Sequence, residues 1–281
     1  MALFLHISSR NVDEYGRSAT ISSVIPAERR RRILASTRSK GVASVEAMAG
    51  ELGVSETTLR RDLRVLETQG LLQRTRGGAV IREGIALEPT YFEKSSEAMD
   101  EKEAIGLAAA DLVAAGDSIL IGPGTTTMQL AKQLRSIADL TVVTNSLLVV
   151  DALVDVPRIE VIVTGGMLRH STRALVGPAV VESLNRLRVS QVFISGNGLS
   201  VARGLTTPDT LVGATDRGLV ACGGQIVVLA DHTKIGRETM CQTIDLEDID
   251  ILVTDAGADQ EALEELGVGG MEIVVAPSTD R

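Results

Sequence analysis

The order of apolar and polar residues divides the chain into stretches of different rhythm. Residues 1–26 show no sustained period, so a flexible N-terminal arm is expected there. From residue 27 the spacing becomes helical. Arg30, Ile33, Leu34 and Thr37 form one stripe that stops before Gly41. Ser44 then stands where it would cap a second helix, whose apolar residues Val45, Met48, Ala49 and Leu52 follow the i, i+3, i+4, i+7 spacing of one buried face. Gly53 and Val54 make a tight turn, and Ser55 can cap a third helix by accepting from the open amides of its first turn. Leu59, Leu63 and Leu66 give that helix its buried side, and Gly70 ends it. Residues 71–81 then read as two short strands around a Gly77-Gly78 turn. The pattern over residues 27–82 therefore predicts helix, turn, helix and a β wing.

Residues 83–100 are polar and aperiodic apart from Pro89, Tyr91 and Phe92, and are expected to be a linker. Beyond them a helix is predicted over Glu101 to Ala115, with Ile105, Ala108, Ala109 and Leu112 on one stripe. Short apolar strands then alternate with helices. Strands are predicted at Ser118 to Ile121, Thr141 to Thr144, Glu160 to Thr164, Gln191 to Ser195, Gln225 to Leu229, Ile249 to Thr254 and Glu272 to Val275. Helices are predicted at Thr126 to Arg135 and Leu147 to Leu153, with others between the later strands. Such alternation predicts an α/β domain over residues 101–281, with a mostly parallel sheet covered on both faces. Ligands in such sheets sit outside the carboxyl ends of the strands.

Charge sharpens this division. Residues 1–85 carry 14 Lys and Arg against 9 Asp and Glu, net +5, whereas residues 86–281 carry 14 against 28, net −14, which together return the chain's −9. A basic module beside an acidic one points to a polyanionic partner for the first and a different task for the second. No apolar run approaches the roughly 20 residues of a membrane-spanning helix. The start lacks the basic leader of a secretory signal, so a cytoplasmic protein is expected. Two cysteines, Cys222 and Cys241, and three scattered histidines make neither a disulfide framework nor a convincing metal-ligand set, and no cofactor motif is present.

On the third helix Thr57, Thr58, Arg60, Arg61 and Arg64 fall off the leucine stripe. Arginines on such a face often do no more than solvate it. Here they sit on the second helix of a helix-turn-helix, where arginine pairs with guanine edges or phosphates and threonine with phosphates or a thymine methyl. Ser55 at its start and the wing residues Arg74 and Arg76 complete the candidate interface with double-stranded operator DNA.

The second domain carries small polar loops at its strand ends. Gly124, Thr125, Thr126 and Thr127 open a helix, where amides and hydroxyls could cradle a phosphate. The Gly-Pro-Gly stretch could also serve only as a turn, and no Lys follows as in a Walker loop. Thr144, Asn145 and Ser146 form a second loop, and Gly165, Gly166 and Arg169 a third. The fourth contains Asp231 and Lys234, which taken separately would read as a solvated ion pair; several anion-friendly loops on one sheet edge weigh against that and place Lys234 in the ligand-binding set.

The stretch GVASVEAMAGELGVSETTLRRDLRVLETQGLLQRTRGGAV resembles the DNA-binding module of the DeoR family of bacterial transcriptional regulators, above all in VSETTLRRDL and LQRTRGGA. The resemblance runs over nearly all of residues 27–276. GTTTMQLA, TNS, TGGMLR, ALVGPA, FISGNGLS, GLTTPD and ADHTKIG are similar to motifs of the family's C-terminal sensor domain, itself similar in fold to ribose-5-phosphate isomerase and the CoA transferases. It implies a repressor of carbohydrate genes, assembled as a homodimer or homotetramer, that binds a phosphorylated sugar or related metabolite. Asn197 joins the ligand-binding set on this ground. Gly122, Asn197, Val212 and Asp216 replace the Asp or Glu, Asp, Glu and Lys that the related motifs lead one to expect. The other class left open is a sugar-phosphate isomerase or CoA-transferase-like enzyme with a fused DNA-binding module. Those exchanges weigh against it, because isomerisation through an enediol requires a general base.

Overall fold

A computed structural model describes residues 25–40, 42–68, 72–80, 91–95 and 97–278. The chain forms two compact units, one within residues 1–83 and the other within 84–281. Most of the expected arm, Gly41, Gly70, and residues 83–90 and Ser96 of the expected linker lie outside the described residues.

In the first unit, α1 (Pro26–Lys40) and β1 (Val42–Ser44) precede α2 (Val45–Leu52) and α3 (Glu56–Thr68), and the wing strands β2 (Gln73–Thr75) and β3 (Gly78–Val80) follow. The predicted stripes become its core: Ile33, Val45, Met48, Leu59, Leu63, Leu66 and Ala79 are buried together. The Ser44 hydroxyl accepts from Ala47 N at 3.0 Å, which fixes the start of α2. At the turn Gly53 takes φ 63°, left-handed backbone that costs glycine nothing and lets α3 leave α2 sharply. The wing is a three-stranded antiparallel sheet of order β1-β3-β2, with β1 an addition to the predicted hairpin. Val45 N donates to Gly77 O at 2.8 Å, which ties the wing turn to α2.

The second unit opens with α4 (Tyr91–Ser95) and α5 (Met99–Ala110). Alternation then runs β4 (Ser118–Ile121), α6 (Thr125–Gln133), β5 (Leu140–Thr144), α7 (Leu147–Leu153) and β6 (Ile159–Val163). A hairpin, β7 (Met167–Arg169) and β8 (Ala174–Val176), leads to α8 (Pro178–Leu184) and β9 (Val189–Ile194). Next come β10 (Gly198–Ser200), β11 (Gly204–Thr207), α9 (Thr210–Val220), β12 (Gly223–Leu229), β13 (Cys241–Ile244), β14 (Ile251–Asp255), α10 (Gln260–Gly267) and β15 (Glu272–Ala276).

Seven strands form one parallel sheet of order β15-β14-β12-β9-β4-β5-β6. Its central strands are buried on both faces because successive residues serve different layers. Ile119 and Ile121 pack with Ile105 of α5, Leu130 of α6 and Val149 of α7, while Leu120 packs with Val180 of α8, Leu219 of α9 and Leu263 of α10. The predicted α/β class with an N-terminal helix-turn-helix is therefore observed. The chain starts the sheet at β4, builds outward through β5 and β6, and returns to β9 on the other side of β4. The crevice between the carboxyl ends of β4 and β9 is the topological switch point, where such sheets bind ligands.

Two features depart from the sequence reading. The expected linker contains α4, and α5 begins at Met99, inside the same stretch. These residues lack a helical stripe because they fold onto the unit's loops. The β7–β8 hairpin and the β10-β11-β13 sheet also appear where no strand was predicted, their strands being three or four residues long.

Candidate functional site

On α3, Thr57, Arg60, Arg61 and Arg64 share one exposed face, opposite the buried leucines. Ser55 is used locally: its hydroxyl accepts from Thr58 N at 3.2 Å and shares a hydrogen bond with the Thr58 hydroxyl at 2.9 Å. Thr58 is accordingly half-buried, a capping partner more than a surface residue. Arg60 pairs with Glu56 at 3.0 Å, and on β2 Arg74 pairs with Glu67 at 2.6 Å. The Arg74 guanidinium holds the Glu67 carboxyl below its ordinary range by hydrogen bonding, against a small opposing effect of burial. Arg61 on α3 and Arg76 in the wing turn form no ion pair among the described residues. The basic run before α3 has a structural part as well. Arg29 reaches the buried Asp62 of α3 at 2.6 Å and pins α1 to it. The unit thus presents a helix with an arginine face beside an arginine-tipped wing.

In the second unit a cleft of about 730 Å³, its mouth included, opens at the switch point. Pro123, Gly124, Thr125 and Thr126 line one wall after β4, and Ser195, Gly196 and Asn197 line another after β9. Asn145 comes from the end of β5, and Asp231 and Lys234 from the end of β12. Gly124 gives α6 no side-chain cap, and it packs so near Ser195 that an added Cβ would lie 3.4 Å from the Ser195 Cβ. The amide end of α6, with its positive partial charge, therefore opens on the cleft.

The walls contain polar atoms without partners. Asn145 donates from Nδ2 to Leu175 O at 2.9 Å, but its Oδ1 has no hydrogen-bond partner among the described residues, and the same is true of Thr172 Oγ1 and of Asp231 Oδ2, which has only the more distant Lys102 ammonium beside it. Buried acceptors of this kind are costly unless a ligand or water donates to them. Around Asp231 the charges interlock. Lys234 Nζ donates to Thr233 Oγ1 at 2.8 Å and lies 3.4 Å from Glu97 Oε2 and 3.9 Å from Asp231 Oδ1. Lys102, on α5, is buried, with Nζ 3.8 Å from Asp231 Oδ2. Burial lowers the Lys102 ammonium below the usual lysine range, opposed by the Asp231 charge. Burial would raise the Glu97 carboxyl, but the charge and hydrogen bond of Lys234 prevail and hold it lower.

Of the residues expected from sequence, Gly124, Thr125, Thr126, Asn145, Asn197 and Lys234 meet at this cleft. The others stand outside its lining. Thr127 donates to Gly122 O and Gly124 O, which locks the loop from beneath, and Thr144 donates to Ile121 O while accepting from Ser146 N. Ser146 caps α7. Gly165 lies in the exposed turn after β6. Gly166 is a packing glycine with φ 125°, where a Cβ would lie 2.6 Å from Val180 Cγ2. Arg169 pairs at 3.1 Å with Asp209, the residue that caps α9. Short polar side chains after strands serve the turn as readily as a ligand.

Several lining residues escaped the sequence reading. Asp231, outside the expected set, is buried like the expected Lys234, so the two are not a solvated pair. Lys102 had a signal: it stands three residues before Ile105 on the apolar stripe, where a lysine requires a partner. Asp216 carries a similar signal beside Val212 and Leu219. Tyr91 and Lys94 had none, since only tertiary folding brings α4 to the cleft.

Residues 29–84 match the DeoR-like helix-turn-helix domain, and residues 97–256 match the DeoR C terminal sensor domain. The HTH-type transcriptional regulator GlpR of Haloferax volcanii is 36% identical over 251 residues, 89% of this chain and 98% of its own. The HTH-type transcriptional repressor GlcR of Bacillus subtilis is 34% identical over 232 residues, 83% of this chain and 89% of its own. A ribose 5-phosphate isomerase from Methanocaldococcus jannaschii overlays on 49% of this chain and 55% of its own, at 15% identity and a TM-score of 0.37, too slight a likeness to bear on chemistry. No helix among the described residues is long and apolar enough to cross a membrane. The two domain matches in this order, with relatives similar along most of their length, establish that the chain belongs to the DeoR family of HTH-type transcriptional regulators.

Proposed function

We propose that this regulator is a repressor of carbohydrate genes that binds operator DNA through α3 and the wing and responds to a phosphorylated sugar in the second unit. In this reading the exposed face of Thr57, Arg60, Arg61 and Arg64 enters the major groove, while Arg74 and Arg76 meet the backbone or minor groove. The single observation that carries the effector assignment is the cleft at the switch point, where the uncapped start of α6 opens between Lys234 and unpartnered acceptors. A phosphate dianion matches the amides and the ammonium, and sugar hydroxyls match Asn145 Oδ1 and Asp231 Oδ2, which require donors. The protein acts as a homodimer or homotetramer in the cytoplasm, because one helix reads only a few base pairs and specific affinity usually draws on two half-sites.

The cleft retains two carboxylates, Asp216 and Asp231, so the exchange of acids noted in the sequence does not empty it of candidate bases. The regulator reading expects no chemistry from them. Calorimetric titration with a panel of sugar phosphates should find one that binds, and Lys234→Ala should lose it. Ribose 5-phosphate should not be turned over, and steady isomerisation of it would favour the enzyme reading. A monomer by light scattering, with and without DNA, would contradict the proposed assembly.

A further inference from the structure

Residues 85–96 lie between the two matched domains, and α4 falls within them. This short helix is bound into the walls of the cleft. Tyr91 N donates to Ser171 O at 2.8 Å, and the Arg173 guanidinium lies 4.8 Å from the centre of the Tyr91 ring. Lys94 Nζ donates to Asn197 Oδ1 at 3.4 Å. The Lys102 ammonium, itself buried, donates to the carbonyls of Lys94 and Glu97, so it holds the backbone just after α4. Glu97 then places its carboxylate on Lys234.

Lys234 therefore already faces two anions, and they are not equally free to leave. The Asp231 side chain is 1% exposed and accepts from the Thr233 amide and hydroxyl. The Glu97 side chain is 52% exposed. A phosphate oxygen arriving at Lys234 would meet the Glu97 carboxylate first, and like charges at one ammonium repel. The exposed carboxylate is the one that can turn into solvent at little cost.

We propose that Glu97 occupies Lys234 in the ligand-free cleft and is displaced by the effector's phosphate, so that cleft occupancy is read by the segment from Tyr91 to Glu97. That segment leads in sequence toward the DNA-binding unit. The exchange releases the Glu97 tether of the segment while Lys94, Tyr91 and the Lys102 hold on the backbone keep theirs, and the strength of regulation is bounded by the difference between these two states. This inference rests on the assignment of phosphate to Lys234 and adds to it the group that phosphate displaces.

The test uses the full chain and inorganic phosphate, followed by calorimetry and by hydrogen exchange of peptides spanning residues 91–98. Glu97→Gln, which keeps shape and removes charge, should bind phosphate about two- to five-fold more tightly than wild type, the range expected for a partly exposed ion pair. Phosphate should speed exchange of the segment in wild type. In Glu97→Gln exchange should be fast from the start and unresponsive, and Glu97→Ala should behave alike. Wild-type affinity in both Glu97 variants, with a segment indifferent to phosphate in the wild type, overturns the displacement while leaving the phosphate site standing. Undiminished phosphate binding by Lys234→Ala overturns both, because Lys234 is then not the anion's partner.

Discussion

The two units place their charged residues in opposite environments. On α3 the arginines stand on an exposed face of one continuous helix, and each α3 residue of the proposed interface is visible as a departure from a leucine stripe. In the α/β unit the charged residues Lys102, Asp231 and Lys234 are buried, come from α5 and the end of β12, and hold one another in place. A surface that meets a polyanion needs reach and solvent, and its affinity comes from neutralising phosphates. A cleft that distinguishes one small anion needs fixed donors in a partly dry site. One consequence is that removing a charge should cost binding in the first unit, whereas removing the buried Lys102 from the second should cost folding.

The largest expected effect is at Lys102. Lys102→Met keeps the length of the side chain but strips Asp231 of a partner and two carbonyls of a donor. Removing one side of a buried ion pair typically costs about 3–5 kcal/mol. A calorimetric scan should show the transition of the α/β unit shifted down and that of the smaller unit in place. Equal shifts in both would mean that the units do not unfold separately.

Arg61→Ala should act in the opposite sense, with folding untouched and DNA binding weakened by about 1–3 kcal/mol if the arginine reads a base. A phosphate contact would instead lower the salt slope by roughly one. Arg60→Ala should cost less than Arg61→Ala, since Arg60 must first give up Glu56. Gel-shift titrations at several salt concentrations separate these outcomes.

Ser55→Ala removes the cap of α3, and should lower the stability of the first unit by about 1 kcal/mol without changing the second. Thermal denaturation followed by circular dichroism measures this.

The smallest effect is at Glu97. Its carboxyl is held below the ordinary value in the folded protein, so the stability it adds is complete above the unfolded carboxyl pKa and is lost as pH falls through the folded one. With the side chain half exposed, the difference between wild type and Glu97→Gln should be under about 1 kcal/mol at pH 7 and vanish as acid protonates the folded carboxyl. A constant difference as pH falls would show that the carboxylate charge is not what holds Lys234.

Legibility in the sequence followed the same divide. Helix stripes and caps in the first unit are local, and Ser44, Ser55, Leu59, Leu63 and Leu66 appear where their spacing placed them. In the second unit each long strand was readable from its apolar run, and the switch point could be anticipated only once strand order was known. Loops after strands were found, but which of their residues face the cleft was not. Thr126 and Thr127 are neighbours of one type, yet one lines the cleft and the other is bonded beneath the loop. Lys102 betrayed itself by its place on an apolar stripe, but the walls contributed by Tyr91 and Lys94 come from a stretch distant in sequence from every strand end, and periodicity carries no information about such contacts.

The account's central claim is that DNA and effector are read by separate units that remain energetically coupled. It is tested most directly by fluorescence anisotropy of the full chain on a duplex taken from upstream of its own coding sequence. Wild type, Arg61→Ala and Lys234→Ala would be titrated with and without the sugar phosphate found by calorimetry. Wild type should bind and lose affinity on adding effector, by a factor corresponding to about 1–3 kcal/mol. Arg61→Ala should bind weakly yet keep that factor, and Lys234→Ala should bind as wild type and ignore the effector. A Lys234→Ala variant that still responds fully, or an Arg61→Ala variant with undiminished affinity and salt dependence, would contradict the account.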